Sequence, residues 1–486
     1  METTRLASAM IWRCVLAALL LCSSSALSAA QEARPCRITG YSYEILCGEL
    51  LVPADPQQPQ LGTIKVAWRK IAARARYPRP DPLIWIPDGI GGDASEYAPG
   101  LSATLTRVLN TRDLIWLDTR GSGASTPLQC APPGPASISK RLERFSDART
   151  LAACQQAILA AGGLAVYTPQ RMAADHEQLR QQLGLKQVNV LAEGTGVEVA
   201  KAWLRIQPNA INKMVWESPL PADDPLAFQA SYSADALAQL LIRCEQNLRC
   251  MAAYPNLNSR LEQLLRQLPV SLTLPHPQTG HLDNFILDER MLASLLTSIL
   301  RSTSLSSALP AALEQAANGH WLALLGLSSS LWSRDDTRFN HGLWLARQCQ
   351  WLTQRQGAPS SVWGQWFHQH KVSSLQTYCA DLPPLPSSDL AAVDLDDIPT
   401  LVLAARYSDA TLADRAMRHV IKVPGVAQHV LSHGCARDVI YRFMAADGMP
   451  EKGSLEAECL LRIKAPAPGQ VSAPLQALPA AQEVGP

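Results

Sequence analysis

The chain has 486 residues, enough for one large domain or two medium ones, and its 47% hydrophobic content is that of a globular protein with a sizeable core. Its 43 Lys and Arg against 42 Asp and Glu leave a formal net charge of +1, which argues against nucleic acid or an anionic membrane surface as the main partner.

Residues 1–30 read as a signal peptide. Arg5 and Arg13 flank the n-region, Val15 to Leu21 is apolar but too short to span a bilayer, and Ser28–Ala29–Ala30 fits a cleavage site before Gln31. Leu21 ahead of Cys22 speaks against a lipoprotein site. No later stretch is long and apolar enough for a membrane span, so the expectation is an exported protein, periplasmic or extracellular, with no integral membrane segment after cleavage. Two of the 12 cysteines fall in this leader. The remaining ten form sequence-close couples, Cys36/Cys47, Cys130/Cys154, Cys244/Cys250, Cys349/Cys379 and Cys435/Cys459, for which disulfides between neighbours are the simplest reading in an exported chain. No Cys/His spacing fits zinc, so no metal or cofactor is expected.

GYSYEILCGELLVPAD (40–55) and TIKVAWRKIAARA (63–75) carry β-alternation and suit an antiparallel opening hairpin. DPLIWIPDGIGGDAS (81–95) and TRDLIWLDTRGSGAS (111–125) are short apolar strands, each running into a glycine-containing loop. AADHEQLRQQLGL (173–185) is an amphipathic helix closed by Gly184. The apolar run VNVL (188–191) then breaks at a tight turn, and GVEVAKAWLRI (196–206) reads as a helix packed back onto a sheet. NKMVWESPL (212–220) supplies another strand. Between about Pro221 and Leu385 helical patterns dominate, with Trp321, Trp332, Trp344, Trp351, Trp363 and Trp366 among them; tryptophans at helical spacing are most often core, so they assign no ligand. Sheet character returns at IPTLVLAARYSD (398–409) and at VAQHVLSHG (426–434), before the helix CARDVIYRFMAA (435–446).

Near-continuous apolar strands alternating with helices predict an α/β fold with a mostly parallel central sheet covered on both faces. The expected division is a core over 31–220 and 386–464, a helical cap over 221–385, and a disordered Ala/Pro-rich tail over 465–486.

These segments, in this order, resemble the secreted tripeptidyl-aminopeptidase-like branch of the proline-iminopeptidase family of α/β-hydrolases. CGELLVPAD, PDGIGGD, RDLIWLDTRGSGASTPLQC, YTPQRMAADHEQLRQQLGLKQVNVL, CEQNLRC, LPHPQTG and PTLVLAARYSD carry the likeness, which covers most of residues 36 to 462. It implies a Ser-His-Asp hydrolase ancestry, a nucleophile on a strand–turn–helix elbow, and peptides or small acyl compounds as substrates.

The catalytic positions depart from the family pattern. The family's serine falls on Gly194, which suits a strained turn and supplies no oxygen. Thr195, one residue on, is the only adjacent hydroxyl, and capping or packing is its ordinary role. The acid falls on Ser408, with Asp409 adjacent and Thr411 agreeing in type; an Asp after a strand is commonly a turn or N-cap residue. The base is assigned to His433 in preference to His429, which is read as lying inside the last strand. In the oxyanion loop Gly89, Gly91 and Gly92 allow close backbone approach, whereas Asp88 would oppose a developing negative charge and is read as a turn cap.

Two functions follow as expectations. The first is a catalytically degenerate α/β-hydrolase that binds a small peptide, acyl compound or protein ligand in a cap-covered cleft. The second is an active peptidase or esterase that uses the relocated groups Thr195, Asp409 and His433.

Overall fold

The computed structural model describes residues 33–88, 90–130, 137–145, 147–221, 224–331, 339–353, 357–385 and 397–469. The expected signal peptide, Gly89, Trp332 and the tail from residue 470 lie outside these residues.

Nine strands form one sheet: β1 (Arg34–Cys36), β2 (Ile45–Pro53), β3 (Thr63–Ile71), β4 (Leu83–Ile86), β5 (Leu114–Leu117), β6 (Val188–Glu193), β7 (Ile211–Glu217), β10 (Thr400–Ala405) and β11 (Arg418–Val423). Their order is β1-β2-β3-β5-β4-β6-β7-β10-β11. The pairs from β1 to β3 and β3 with β5 are antiparallel, and every later neighbour is parallel. This is the mostly parallel α/β-hydrolase sheet expected from the sequence.

Residues buried on both faces explain the continuous apolar runs. All four residues of β4 (LIWI) and of β5 (LIWL) are buried. On one face Ile84, Ile86, Val190, Ala192 and Trp216 join a core shared with the helices Pro169–Gln182 and Gly196–Ile206. On the other, Leu83, Trp85, Leu191, Val215 and Leu403 pack against the helices Ala94–Thr104 and Ala436–Ala445.

Between β7 and β10 the chain builds a helical layer whose longest members, Pro225–Gln246 and Val362–Cys379, pack together. Side-chain N-caps start them at Asp224 and Ser361. The layer also holds an antiparallel hairpin that the helical reading omitted: β8 (Val270–Pro275) and β9 (Leu282–Leu287). The alternation in VSLTLP marks it, but the surrounding helical periodicity masked so short a signal. The layer reaches down to the core loops through Asn340 N–H to Gly91 O (2.8 Å), Ala427 N–H to the Thr303 hydroxyl (2.8 Å) and Arg301 Nε to Gln428 Oε1 (3.2 Å).

Two local expectations change. The final strand is Arg418–Val423 and not VAQHVLSHG; Pro424 and Gly425 end it, and residues 426–434 form a loop with a single 3-10 turn at Val430–Ser432. The start of the supposed disordered tail is docked. Pro466 O accepts from Arg243, and Gly469 N–H donates to Ser307 O at 2.8 Å. Disulfides join the neighbouring couples Cys36–Cys47, Cys130–Cys154, Cys244–Cys250, Cys349–Cys379 and Cys435–Cys459.

Candidate functional site

The elbow is built at the carboxyl end of β6. Gly194 turns the chain at φ +49°, its N–H donating to Glu217 O at 2.9 Å, and the helix Gly196–Ile206 begins two residues on. Gly196 is required by proximity: a Cβ there would stand 2.5 Å from Ile86 O and 2.7 Å from Pro87 O. The backbone is therefore a tight strand–turn–helix junction with a glycine, and so no side chain, at its turn.

The Asp88 carboxyl lies against the turn. It follows β4, and a Cβ on Gly194 would lie 2.8 Å from its Cγ, 2.9 Å from Oδ2 and 3.1 Å from Oδ1. Oδ1 accepts from the Thr195 N–H at 3.2 Å and from the Thr195 hydroxyl. The N–H of the residue after the nucleophile is the donor that an elbow ordinarily turns on a substrate oxyanion. Here an internal carboxylate takes it, at a helix N-terminus whose dipole favours negative charge. Asp88 is thus the cap that the sequence suggested, but a cap of the elbow itself.

Of the expected site residues, Thr195 is 3% exposed and spends its hydroxyl on Asp88. Ser408 is buried and donates to Ala405 O at 2.6 Å. The Asp409 carboxylate accepts from the Thr411 N–H (2.9 Å) and hydroxyl (2.6 Å), closing its own turn. His433 is exposed, and among the described residues nothing hydrogen-bonds its ring. Asp409 and His433 make no hydrogen bond to each other or to Thr195. Gly91, at φ +87°, is held under the Phe339 ring, with Asn340 donating twice to its carbonyl.

His429 lies where the sequence reading did not place it, in a loop and in the left-handed region at φ +61°. Although it stays exposed, loss of neighbouring water lowers its imidazole pKa; the Asp88 charge raises it, and Arg301 and His433 lower it. The histidine in the electrostatic field of the elbow carboxylate is therefore His429. Sequence missed it because VAQHVL passes for a buried strand.

A second feature was not anticipated. Glu193 and Glu217 are partners in register at the ends of β6 and β7. Glu193 Oε1 accepts from Trp85 Nε1 (3.1 Å), and Glu217 Oε1 accepts from the Ser218 hydroxyl (2.8 Å) and the Val430 N–H (2.6 Å). Burial, then the neighbouring Glu217 charge, pushes Glu193 up to about 8; burial, with Asp88 adding to it, pushes Glu217 up to about 7. Two apolar strands that both end in Glu, VNVLAE and MVWE, were the available signal.

Behind the elbow, Thr195, Asp118, His176 and Arg347 line a cavity of about 20 Å³, room for one water. Burial drives His176 down to about 3 and Asp118 up to about 6. Among the described residues no His/Cys/Asp/Glu group could hold a metal ion, and no helix is long and apolar enough to cross a membrane.

No family model matches the chain. It is 27% identical over 208 residues to the tripeptidyl aminopeptidases of Streptomyces lividans and Streptomyces coelicolor, covering 39% of this chain and 38% of each relative. It is 26% identical over 194 residues to the putative hydrolase YuaR of Escherichia coli K12, again over 38% of each. The matched region thus spans about two-fifths of these relatives. Among solved structures it is similar to the proline iminopeptidase of Mycobacterium smegmatis (15% identity, 82% of this chain and 97% of that one, TM-score 0.34). It is also similar to an α/β-hydrolase fold protein of Chitinophaga pinensis (13%, 86% and 99%, TM-score 0.32).

Proposed function

We propose that the chain is an exported peptidase-like α/β-hydrolase, in keeping with its similarity to the tripeptidyl aminopeptidases over about two-fifths of its length, that has left serine-type acyl transfer and binds a small peptide, acyl compound or protein ligand beneath its helical layer. One observation carries this reading: the Asp88 carboxylate occupies the space of a side chain at position 194 and takes the Thr195 N–H. A substrate carbonyl would meet no hydroxyl there, and its developing oxyanion would meet a carboxylate where it needs a donor. Loss of the nucleophile leaves at most the weak catalysis that binding and oxyanion contacts supply. The five disulfides suit an oxidising compartment, in keeping with export.

The test is incubation of purified protein with a fluorophosphonate, aminoacyl anilides and short esters. No labelling and no turnover are expected; stoichiometric labelling of one side chain would overturn the reading. A relocated triad of Thr195, Asp409 and His433 is the weaker alternative, since each of the first two already spends its oxygen on a neighbour. It predicts an acyl-transfer activity that His433→Ala abolishes.

A further inference from the structure

The seam between the helical layer and the core holds two arginines that no carboxylate balances. Arg301 follows the helix Glu289–Leu300, and Arg406 follows β10. A pair of tyrosines brings them together. The Arg301 Cζ lies 4.8 Å from the Tyr407 ring centre, the Tyr407 and Tyr232 rings are 4.4 Å apart, and the Arg406 Cζ lies 6.0 Å from the Tyr232 ring centre. The Tyr232 hydroxyl donates to Leu300 O at 3.1 Å, directly before Arg301. The loop after β11 closes the same corner: the Arg406 N–H donates to Val426 O (2.8 Å), and Arg301 Nε donates to Gln428 Oε1 (3.2 Å).

Among the described residues neither guanidinium has a carboxylate within ion-pair distance. Arg301 spends its Nε–H on a neutral amide, and Arg406 Nε is buried with no acceptor. Both side chains are half-buried, so they are partly desolvated and still reachable from solvent. The surroundings add positive charge. The helix Thr303–Ala317 starts two residues after Arg301 with no acidic residue in its first turn, which leaves its positive end uncompensated. Burial brings the Lys371 ammonium down to about 8; Glu143 opposes this, whereas Arg144 and Arg301 add to it. The negative charge that reaches Tyr407 and His429 is that of Asp88, whose Oδ1 is already held by Thr195.

Two half-buried guanidiniums without a counter-charge are an unfavourable arrangement that a bound oxyanion relieves. Their planar forks match a carboxylate edge. The Asp88 charge in the same field disfavours a dianion, so a carboxylate is preferred to a phosphate. We propose that Arg301 and Arg406 form a carboxylate site at this seam, for the acid group of a small peptide or acyl compound whose apolar part rests against half-buried Phe228. The Phe228 ring is 5.3 Å from Tyr407, beside both cations.

This inference rests on the reading that a ligand binds beneath the helical layer, and it names the chemistry of that ligand. The two fail separately: fluorophosphonate labelling would overturn the loss of acyl transfer and leave carboxylate binding untouched. The experiment is isothermal titration of the full chain with phenylacetate, its neutral counterpart phenylacetamide, and inorganic phosphate. Wild type should bind phenylacetate about tenfold or more tightly than phenylacetamide, and less tightly as salt is raised. Arg301→Gln and Arg406→Gln should each weaken phenylacetate about tenfold and leave phenylacetamide unchanged, while Arg301→Lys, which keeps the charge, should retain part of the affinity. Thermal unfolding accompanies each variant. Should a glutamine variant fail to fold, Arg301→Lys and the preference of wild type for phenylacetate over phenylacetamide still decide. Equal binding of those two probes, or no binding of either at millimolar concentration, would overturn the proposal. So would folded glutamine variants that bind phenylacetate as wild type does, or phosphate binding more tightly than phenylacetate.

Discussion

Glu193 and Glu217 stand side by side at the carboxyl ends of adjacent parallel strands, pointing to the same face of the sheet beside Asp88. Three carboxyl groups crowd the ends of these strands, and burial, with the Glu217 charge acting on Glu193 and the Asp88 charge acting on both, keeps protons on the pair to about pH 7 and 8. In the unfolded chain both groups ionise near their ordinary value of 4.5. The native state therefore binds more protons than the unfolded state between that value and about 8, and stability falls as pH rises through the window. Buried His176 gives the opposite slope, but only between about 3 and 6.5. From pH 6.5 to 8 the pair should dominate, with a loss of about 1–2 kcal/mol over that interval. Thermal unfolding of wild type should show a lower Tm at pH 8 than at 6.5, and Glu193→Gln/Glu217→Gln should flatten the dependence. A Tm that rises with pH in wild type would refute the account.

Restoring a serine at the elbow should harm the fold before it helps any chemistry. Gly194→Ser places a Cβ at φ +49° within 3 Å of the Asp88 carboxyl, forcing that group off Thr195. The left-handed backbone and the lost cap together predict a destabilisation of about 2 kcal/mol. Asp88→Gly alone should cost about 1 kcal/mol through the cap. The double variant should then be more stable than the sum of the two, since the clash exists only when both groups are present. Denaturant unfolding of the four proteins gives the coupling; simple additivity would mean that the two side chains do not compete for the same space.

The parts of this arrangement that were legible from sequence are those encoded in local pattern. VNVL followed by a turn and GVEVAKAWLRI announced the strand–turn–helix, with Gly194 at the turn. Asp88 was legible only as a turn cap, because its approach to residue 194 depends on how β4 and β6 sit beside each other. The acid pair likewise needs the Glu193–Glu217 register, which neither strand encodes alone. His429 was lost to a false period: VAQHVL is apolar enough for a strand, while RHVIKV, with three basic residues, is the segment that forms one. Asp409 shows the reverse case, where the bland expectation of a turn residue described the carboxylate correctly.

Arg120 gives a prediction about the scaffold. It is 2% exposed, and its guanidinium donates to both Asp175 oxygens (2.7 and 2.6 Å), to Ala54 O (3.0 Å) and to Val166 O (2.8 Å). It thereby ties the loop after β5 to the segments that follow β2 and precede the helix Pro169–Gln182. Burial alone would raise the Asp175 pKa, and Arg120 opposes that. Asp175→Asn leaves an uncompensated guanidinium in the core and should cost about 3–5 kcal/mol. Arg120→Met with Asp175→Leu removes both charges and should recover much of that loss. Guanidinium chloride unfolding would show the order; a single variant as stable as wild type would mean that the pair contributes little.

The disulfide Cys435–Cys459 bears on the site as well as on stability. It closes a loop with a sequence separation of 24 between the start of the helix Ala436–Ala445 and the helix Glu458–Leu461. A closed loop of that length restricts the unfolded chain by about 3 kcal/mol in the chain-entropy account. The chain leaving this staple runs beside the His429 loop, where a Cβ at Gly425 would fall on Ile463 O. Cys435→Ser/Cys459→Ser should therefore lower the unfolding free energy by about 3 kcal/mol and also loosen residues 424–433. Hydrogen exchange should register the second effect as faster exchange at Val430, whose N–H is held by buried Glu217, while the β4–β6 strands remain protected. Cys244→Ser/Cys250→Ser, on a loop with a separation of only 6, is the control: it should cost less and leave Val430 unchanged. Equal exchange at Val430 in the two double variants would show that the staple does not hold the His429 loop in place.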